Sequence, residues 1–315
     1  MLKRFLSEKT FKNNLKNNSS SQKYLDPSVV SRLNSLELKA RFVVEGFMVG
    51  LHKSPYHGFS VEFSEHRSYM QGDPIKNIDW KVFAKSEKFF IKQFEEETNL
   101  ICHVNVDISK SMDYKHSGPI TKLEYANILA ASLIYIMIQQ QDAVGLTLYS
   151  DSIEKYLPPK STRLYLRKLL QEIESAVPSN KTETAACLNA IADKTKRRGL
   201  VIIISDFFDD LDKVLSTIRK FHYKKNEVIV FQVLDPIEQS FAFGKDAIFV
   251  DKETGEEMTS QPYQIQKAYQ QTLRDFIDRI KSECRSSGIE YNLLTTNTPF
   301  DKALLSYFKK RSKLN

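Results

Sequence analysis

The chain has 315 residues, of which 41% are hydrophobic and 27% charged, the balance of a soluble globular protein rather than a disordered or fibrous one. Its length exceeds the roughly 100 to 200 residues of a typical domain, so we expect one large core and a substantial extra module. The net charge of +7 comes from the ends: residues 1–60 carry 10 Lys and Arg against 4 Asp and Glu, and residues 301–315 carry 5 against 1. Basic ends are compatible with peripheral contact with an anionic membrane, but no nucleic-acid motif accompanies them, so we expect no nucleic-acid partner.

The longest apolar run, Ile128 to Ile138, is about half of the roughly 20 residues that a membrane span needs. It predicts a buried helix and no transmembrane segment. The N-terminus lacks the uninterrupted apolar stretch of a secretory signal, so we expect a cytoplasmic protein. Three cysteines, Cys102, Cys187 and Cys284, are far apart and without CxxC spacing, which predicts buried reduced thiols rather than disulfides or zinc ligands.

The first third of the chain predicts two segments of different character. In residues 1–45 a polar lead is followed by apolar residues at helical spacings, which predicts an amphipathic helix ending at about Gly46. In residues 46–99, Gly and Pro punctuate short alternating runs such as 59–63 and 89–94. This pattern is typical of a small β-rich module.

From residue 100 onwards, strand patterns alternate with helix patterns. The predicted strands are 100–106, 143–149, 200–205, 227–234, 247–251 and 289–295, and the predicted helices are 122–141, 163–175, one after Thr184, 209–221 and 263–286. Buried strands separated by helices predict an α/β fold for residues 100–300, a doubly wound, mostly parallel sheet flanked by helices. Residues 301–315 are predicted as a basic C-terminal tail. Ligands of such sheets bind at the carboxyl ends of the strands.

Carboxylates and hydroxyls cluster where the predicted strands end. The first strand runs into Asp107-Ile108-Ser109-Lys110-Ser111, the most apolar strand ends at Ser205-Asp206, and the Thr-rich segment 181–184 precedes a helix. The D-x-S-x-S alternation places the Asp and both Ser on one side of an extended loop. Hard oxygen ligands suit Mg²⁺ or Mn²⁺ better than zinc. The sequence therefore predicts a divalent cation site at this edge.

These residues resemble the metal-ion-dependent adhesion site, or MIDAS, of von Willebrand factor A-type domains. In that site one coordination position stays open for a carboxylate of a partner protein. The resemblance implies that Ser109 and Ser111 are direct ligands and that Asp107 and Asp206 are direct or water-mediated ligands.

The resemblance also implies a threonine ligand. Thr182 fits best by its spacing to the following helix, and Thr184 is the runner-up. The family often has Gly after the last Asp of the site, whereas Phe207 follows Asp206 in this chain. The conformation of that loop is therefore a point for the structure to decide.

A more specific pattern lies upstream of the cation site, in Gly58-Phe59-Ser60-Val61-Glu62-Phe63, His66-Arg67-x-Tyr69-x-x-Gly72-Asp73, Ile78-Asp79-Trp80-Lys81-x-Phe83-Ala84 and Phe94-Glu95-Glu96-Glu97. These runs resemble the hallmark run of the bacterial "domain of unknown function 58" family, which leads directly into an A-type domain. The two resemblances together are close over residues 46–210 and follow the fold pattern beyond them. Members of that family commonly accompany MoxR-type AAA+ ATPases, so the resemblance implies an adaptor or chaperone-like partner of such an ATPase.

We therefore predict a metal-dependent binding protein rather than an enzyme, with an acidic residue of a MoxR-type ATPase or another protein as the ligand of the cation. The chain has no GxxxxGK[ST], GxSxG or GxGxxG motif. One alternative is a metal-dependent phosphoesterase, for which only Asp113, Asp209 and Asp210 could supply a second metal position or an activating group. The other is a metal-free scaffold that binds through its basic termini.

Overall fold

One six-stranded sheet organises the protein, in a computed structural model that describes residues 25–52, 66–68, 83, 89–92, 100–178, 183–243, 247–250 and 257–311. The strands are β1 (His66–Ser68), β2 (Phe90–Lys92), β3 (Ile101–Asp107), β4 (Ala143–Tyr149), β5 (Ile153–Lys160), β6 (Leu200–Ser205), β7 (Glu227–Leu234), β8 (Ala247–Val250), β9 (Glu257–Ser260) and β10 (Glu290–Thr295). The helices are α1 (Pro27–Val30), α2 (Leu36–His52), α3 (Lys122–Gln139), α4 (Arg163–Glu174), α5 (Thr184–Lys194), α6 (Leu211–Tyr223), α7 (Pro236–Ser240), α8 (Pro262–Ser286) and α9 (Phe300–Arg311).

The strand order of the central sheet is β10-β7-β6-β3-β4-β5. Every neighbouring pair is parallel except β4 and β5, which are antiparallel. The chain runs from β3 outward to β4 and β5 and then returns to place β6 on the other side of β3. The direction of winding thus reverses between β3 and β6, which makes their carboxyl ends the switch point where such sheets bind ligands. The predicted fold class is confirmed.

Helices cover both faces of the sheet. Helices α2, α3, α4 and α9 pack on one face with the even-numbered residues of β3, and α5, α6 and α8 pack on the other. Helix α3 contains the apolar run noted in the sequence and is buried along most of its length, as predicted. Its start is fixed by Thr121, whose side chain accepts a hydrogen bond from the backbone N–H of Glu124.

The N-terminal helix differs from the prediction in its boundaries. It is split into α1 and α2 by residues 31–35, and α2 continues through Gly46 to His52. Gly46 lies inside the helix, where Leu25 packs closely against it. A Cβ at this position would be 2.8 Å from Cδ2 of Leu25. The glycine marks a close contact rather than a helix end.

The segment predicted as a basic tail contains helix α9. Its apolar residues recur at helical spacings and are buried, namely Ala303, Leu304, Tyr307 and Phe308. The ring of Phe308 stacks on Phe47 of α2 with the centroids 5.1 Å apart. The excess of Lys and Arg in this segment concealed an amphipathic helix that completes the core.

Strand β5 was not predicted, because its sequence contains Pro158 and Pro159. Proline cannot donate a backbone hydrogen bond and is confined to edge strands or bulges. Strand β5 is the edge of the sheet and pairs with β4 through an irregular register, which satisfies that rule.

The predicted β-rich module at 46–99 lies mostly outside the described residues. Its described part includes β1 and β2, which pair antiparallel with His66 opposite Lys92. Strand β8, predicted alone, pairs with β9 as a hairpin.

Candidate metal centre

The candidate cation site is at the switch point of the sheet. Asp107 is the last residue of β3, and Asp206 follows β6 directly. Both aspartates have no exposed surface. Because β3 and β6 are neighbouring parallel strands, their ends bring the two carboxylates to the same edge.

The Asp107 carboxylate is oriented by two hydrogen bonds. Its Oδ1 accepts the backbone N–H of Ser109 at 2.9 Å, and its Oδ2 accepts the hydroxyl of Ser205 at 2.7 Å. The Ser205 Oγ in turn accepts the N–H of Phe207 at 2.9 Å. The loops after β3 and β6 are thus joined through one serine, which the sequence analysis did not single out as a site residue.

The two serines of the motif lie together as predicted, but through a 3-10 turn that includes Ser111 rather than through an extended loop. Ser109 Oγ and Ser111 Oγ are 3.0 Å apart, and Ser109 is fully buried. A 3-10 turn over Lys110–Asp113 follows Ser109 and curls the chain so that both hydroxyls are adjacent to the end of β3. Two neutral oxygen ligands are therefore presented beside the Asp107 carboxylate.

The loop after β6 has a non-glycine residue in a backbone conformation that favours glycine. Phe207 has φ of 60°, in the left-handed region where a non-glycine residue costs roughly 1–2 kcal/mol. The Phe207 side chain is 1% exposed, within the core formed with α5 and α6. Burial of the ring offsets the backbone cost, so the loop holds this left-handed conformation without a glycine.

Asp206 has a partner that the sequence analysis missed. Its Oδ2 accepts a hydrogen bond from Lys122 Nζ at 2.8 Å, and the same ammonium lies 2.7 Å from Glu238 Oε1. The Lys122 side chain is 1% exposed. A signal was present in the sequence, because Lys122 lies on the buried stripe that continues through Ala126 and Leu129 of α3.

These contacts and burial shift the pKa values of Asp107 and Lys122. Burial and the nearby charge of Asp206 raise the pKa of Asp107 to about 6, although hydrogen bonds from Ser205 and Ser109 oppose the shift. For Lys122, burial alone would lower the pKa, but Asp206 and Glu238 outweigh it and the pKa is raised. Lys122 is therefore a buried cation paired with Asp206 and Glu238. The hydrogen-bond donors of Asp107 are a backbone amide and a hydroxyl, and neither carries a charge.

Only one of the two candidate threonine ligands is among the described residues, because Thr182 lies outside them. Thr184, the first residue of α5, is fully buried, and its Oγ1 has no hydrogen-bond partner among the described residues. Asp209 Oδ2 accepts the backbone N–H of Ala185 at 3.3 Å, which ties the start of α5 to the loop after β6. Either threonine remains a candidate.

The donor set fits a hard divalent cation. Two carboxylates and two hydroxyls converge at one edge, the charge of Asp107 is uncompensated, and Thr184 adds a buried hydroxyl without a partner. No group of three or more His, Cys, Asp or Glu that could hold a metal occurs among the described residues. The site would therefore depend on serine and threonine hydroxyls, as in the resemblance.

The structure also places the other residues considered in the sequence analysis. Asp210 is the N-cap of α6, where its side chain accepts the N–H groups of Asp212 and Lys213, and Asp113 is exposed. His103 is buried within β3, and burial lowers its pKa. The prediction of buried thiols is confirmed for Cys102, Cys187 and Cys284.

The chain belongs to a family described as "Protein of unknown function DUF58", whose sequence profile matches residues 65–277. Uncharacterized proteins of Mycobacterium tuberculosis and Mycobacterium bovis are each 26% identical to it over 235 residues, which is 73% of this chain and 73% of each relative. The predicted family is thus confirmed.

Solved structures resemble the chain at low identity. A conserved hypothetical protein, BatB of Bacteroides thetaiotaomicron, is 16% identical with a TM-score of 0.47 and aligns over 68% of this chain and 98% of its own. The SpRpn10 VWA domain is 11% identical with a TM-score of 0.42, over 66% of this chain and 94% of its own. Such values indicate nothing about activity, and the fold assignment depends on the sheet order.

None of the helices in the described part of the chain combines the length and apolarity that crossing a membrane would require.

Proposed function

We propose that this protein binds a partner protein through a divalent cation, Mg²⁺ or Mn²⁺, held by Asp107, Ser109, Ser111, Asp206 and either Thr182 or Thr184. The observation that carries the proposal is the pair of Ser109 and Ser111 hydroxyls, 3.0 Å apart, beside the buried carboxylate of Asp107 at the switch point. When bound, the cation supplies an open coordination position for an anionic ligand. Asp107 and Asp206, both without exposed surface, would hold the cation together with the serine hydroxyls.

The partner is expected to contribute an acidic side chain. A carboxylate both completes the coordination of a hard cation and offsets its charge, whereas a neutral ligand does only the first. The family resemblance makes a MoxR-type AAA+ ATPase the leading candidate, because family members commonly accompany such ATPases. A partner of this kind would be released by a chelator.

Titration calorimetry with Mn²⁺ tests the cation site. We expect a saturable heat for the wild type and none for Asp107→Ala, because the variant lacks the carboxylate at the centre of the donor set. Asp113→Ala is the matched control, since it removes an exposed carboxylate two residues after the motif. The proposal is wrong if Asp107→Ala and Asp113→Ala bind Mn²⁺ equally well.

The serines supply a finer test. Ser109→Ala and Ser111→Ala each remove one neutral ligand and should weaken Mn²⁺ binding by about tenfold, equivalent to roughly 1.4 kcal/mol. Their far-UV circular dichroism should match the wild type. Pull-down of a purified MoxR-type ATPase should succeed in Mg²⁺ and fail in excess chelator; equal recovery in both would exclude a cation-dependent contact with that partner.

A further inference from the structure

The feature that the proposed function leaves unexplained is the buried lysine beside the cation site. Lys122 Nζ lies 2.8 Å from Asp206 Oδ2 and 2.7 Å from Glu238 Oε1. The aromatic rings of Phe208 and Tyr114 face the same ammonium, at 5.1 Å and 5.7 Å from the ring centroids. The ammonium is thus enclosed by two carboxylates and two aromatic faces.

Lys122 is also held in this position. Glu238 is fixed by its other oxygen, because its Oε2 accepts the backbone N–H of Asp235 at 2.7 Å. Asp206 is fixed by the N–H of Phe208, which lies 3.2 Å from its Oδ1. Withdrawing the ammonium would leave two carboxylates buried without a counter-charge, which is strongly unfavourable in a protein interior. The lysine is therefore a permanent part of the site.

The charges of the cluster are unequally shared. Asp206 and Glu238 share one ammonium, whereas Asp107 has hydroxyl and amide donors only. A hard cation binds more tightly as the number of charged ligands rises. An aspartate whose charge is already partly offset by an ammonium adds less attraction for a second cation. Of Asp107 and Asp206, Asp107 therefore offers the less compensated charge.

We infer that Lys122 is a resident counter-cation that holds Asp206 and thereby keeps the intrinsic affinity of the site for a divalent cation low. This inference rests on the proposed function. Its consequence is cooperativity, because the carboxylate of the partner supplies the charge that Asp206 withholds. The cation and the acidic partner then bind tightly together and weakly apart, so the site binds the free cation only weakly when the partner is absent.

The test is a set of variants compared by Mn²⁺ titration with electron paramagnetic resonance detection. In the double variant Lys122→Met with Glu238→Gln, the summed formal charge of positions 107, 122, 206 and 238 stays at minus two, as in the wild type. Asp206, however, loses its ammonium partner. We expect this variant to bind Mn²⁺ on the order of tenfold or more tighter than the wild type. Glu238→Gln alone is the control and should bind no tighter, because Lys122 still holds Asp206.

The outcomes separate this inference from the proposed function. Equal or weaker Mn²⁺ binding by the folded double variant, with measurable binding by the wild type, overturns the role of Lys122 and leaves the proposed function standing. Absence of Mn²⁺ binding in every variant and in the wild type overturns both. If circular dichroism shows that the double variant is unfolded, Lys122→Gln with Glu238→Gln, which keeps a hydrogen-bond donor at position 122 and the same net charge of minus two, decides the question by the same comparison.

Discussion

Two buried aspartates at the same edge of the sheet differ in how their charge is satisfied. Asp107 ends β3 and accepts two hydrogen bonds, and Asp235 follows β7 and accepts the backbone N–H groups of His116, Ser117, Gly118 and Ile237 together with the Ser117 hydroxyl. Burial acts against both charges. The hydrogen bonds outweigh it at Asp235, whose pKa is lowered, but not at Asp107, whose pKa is raised to about 6.

The difference separates a carboxylate that the protein itself satisfies from one that is available to a cation. Asp235 anchors the loop before α3 and caps α7 through a capping box, so its donors already satisfy it. Gly118 is required for that approach, because a Cβ there would lie 1.8 Å from Thr296 Oγ1. Asp107 remains short of positive charge, which is the property expected of a cation ligand.

The largest effect that this comparison predicts is on folding. Asp235→Ala should lower the free energy of unfolding by on the order of 3 to 5 kcal/mol, because several buried N–H groups lose their acceptor at once. Urea denaturation measures the loss. Asp235→Asn keeps one acceptor oxygen and should lose less. A loss below about 1 kcal/mol for the alanine variant, typical of a surface change, would contradict the structural role of Asp235.

In the presence of a chelator, Asp107→Asn should raise the free energy of unfolding, which is the opposite of the effect expected for Asp235→Ala. The folded pKa of Asp107 is raised from 3.8 to about 6, so its protonated carboxyl group contributes stability that is fully present below about pH 4 and is lost as the pH rises through about 6. Asn has no such charge. The variant should therefore be more stable than the wild type at pH 8 by up to about 3 kcal/mol, with little difference at pH 4. Excess Mg²⁺ should stabilise only the wild type. A stability difference that does not change between pH 4 and 8 would contradict this assignment.

The smallest effects concern the threonines. Thr184→Val replaces a buried hydroxyl that has no described partner, so stability in chelator should rise by up to about 1 kcal/mol. Thr182→Val should weaken Mn²⁺ binding more than Thr184→Val, because the spacing to α5 matches the family at Thr182. Calorimetry on the two variants compares them directly, and the reverse order would assign the ligand to Thr184.

The sequence predicted the parts of this site that follow from strand periodicity. The ends of β3 and β6 were located by their apolar runs, and the alternation in 107–111 correctly placed Ser109 and Ser111 together. Lys122, Glu238 and Asp235 were not predicted. The contacts of Lys122 with Asp206 and Glu238, and of Asp235 with His116, cross 84 or more positions of sequence, and only the winding of the sheet brings these groups together.

The fold showed the same division. Helix α3 and strands β4, β6 and β7 were predicted within a few residues, because a long apolar period or a continuous apolar run dominates local choice. Helix α9 was concealed by its lysines, and strand β5 by its prolines. In both segments the determining factor is the surface onto which the segment packs, and that surface is formed by distant residues.

The two prolines of β5 also restrict how another chain can approach. An exposed sheet edge can accept an additional strand from a second molecule, which is a common cause of aggregation. Pro158 and Pro159 have no N–H group to offer, and Glu154, Lys155 and Lys160 place charges along the same edge. Strand addition at β5 is therefore disfavoured. A partner of the kind proposed above is therefore not expected to bind by adding a strand at β5.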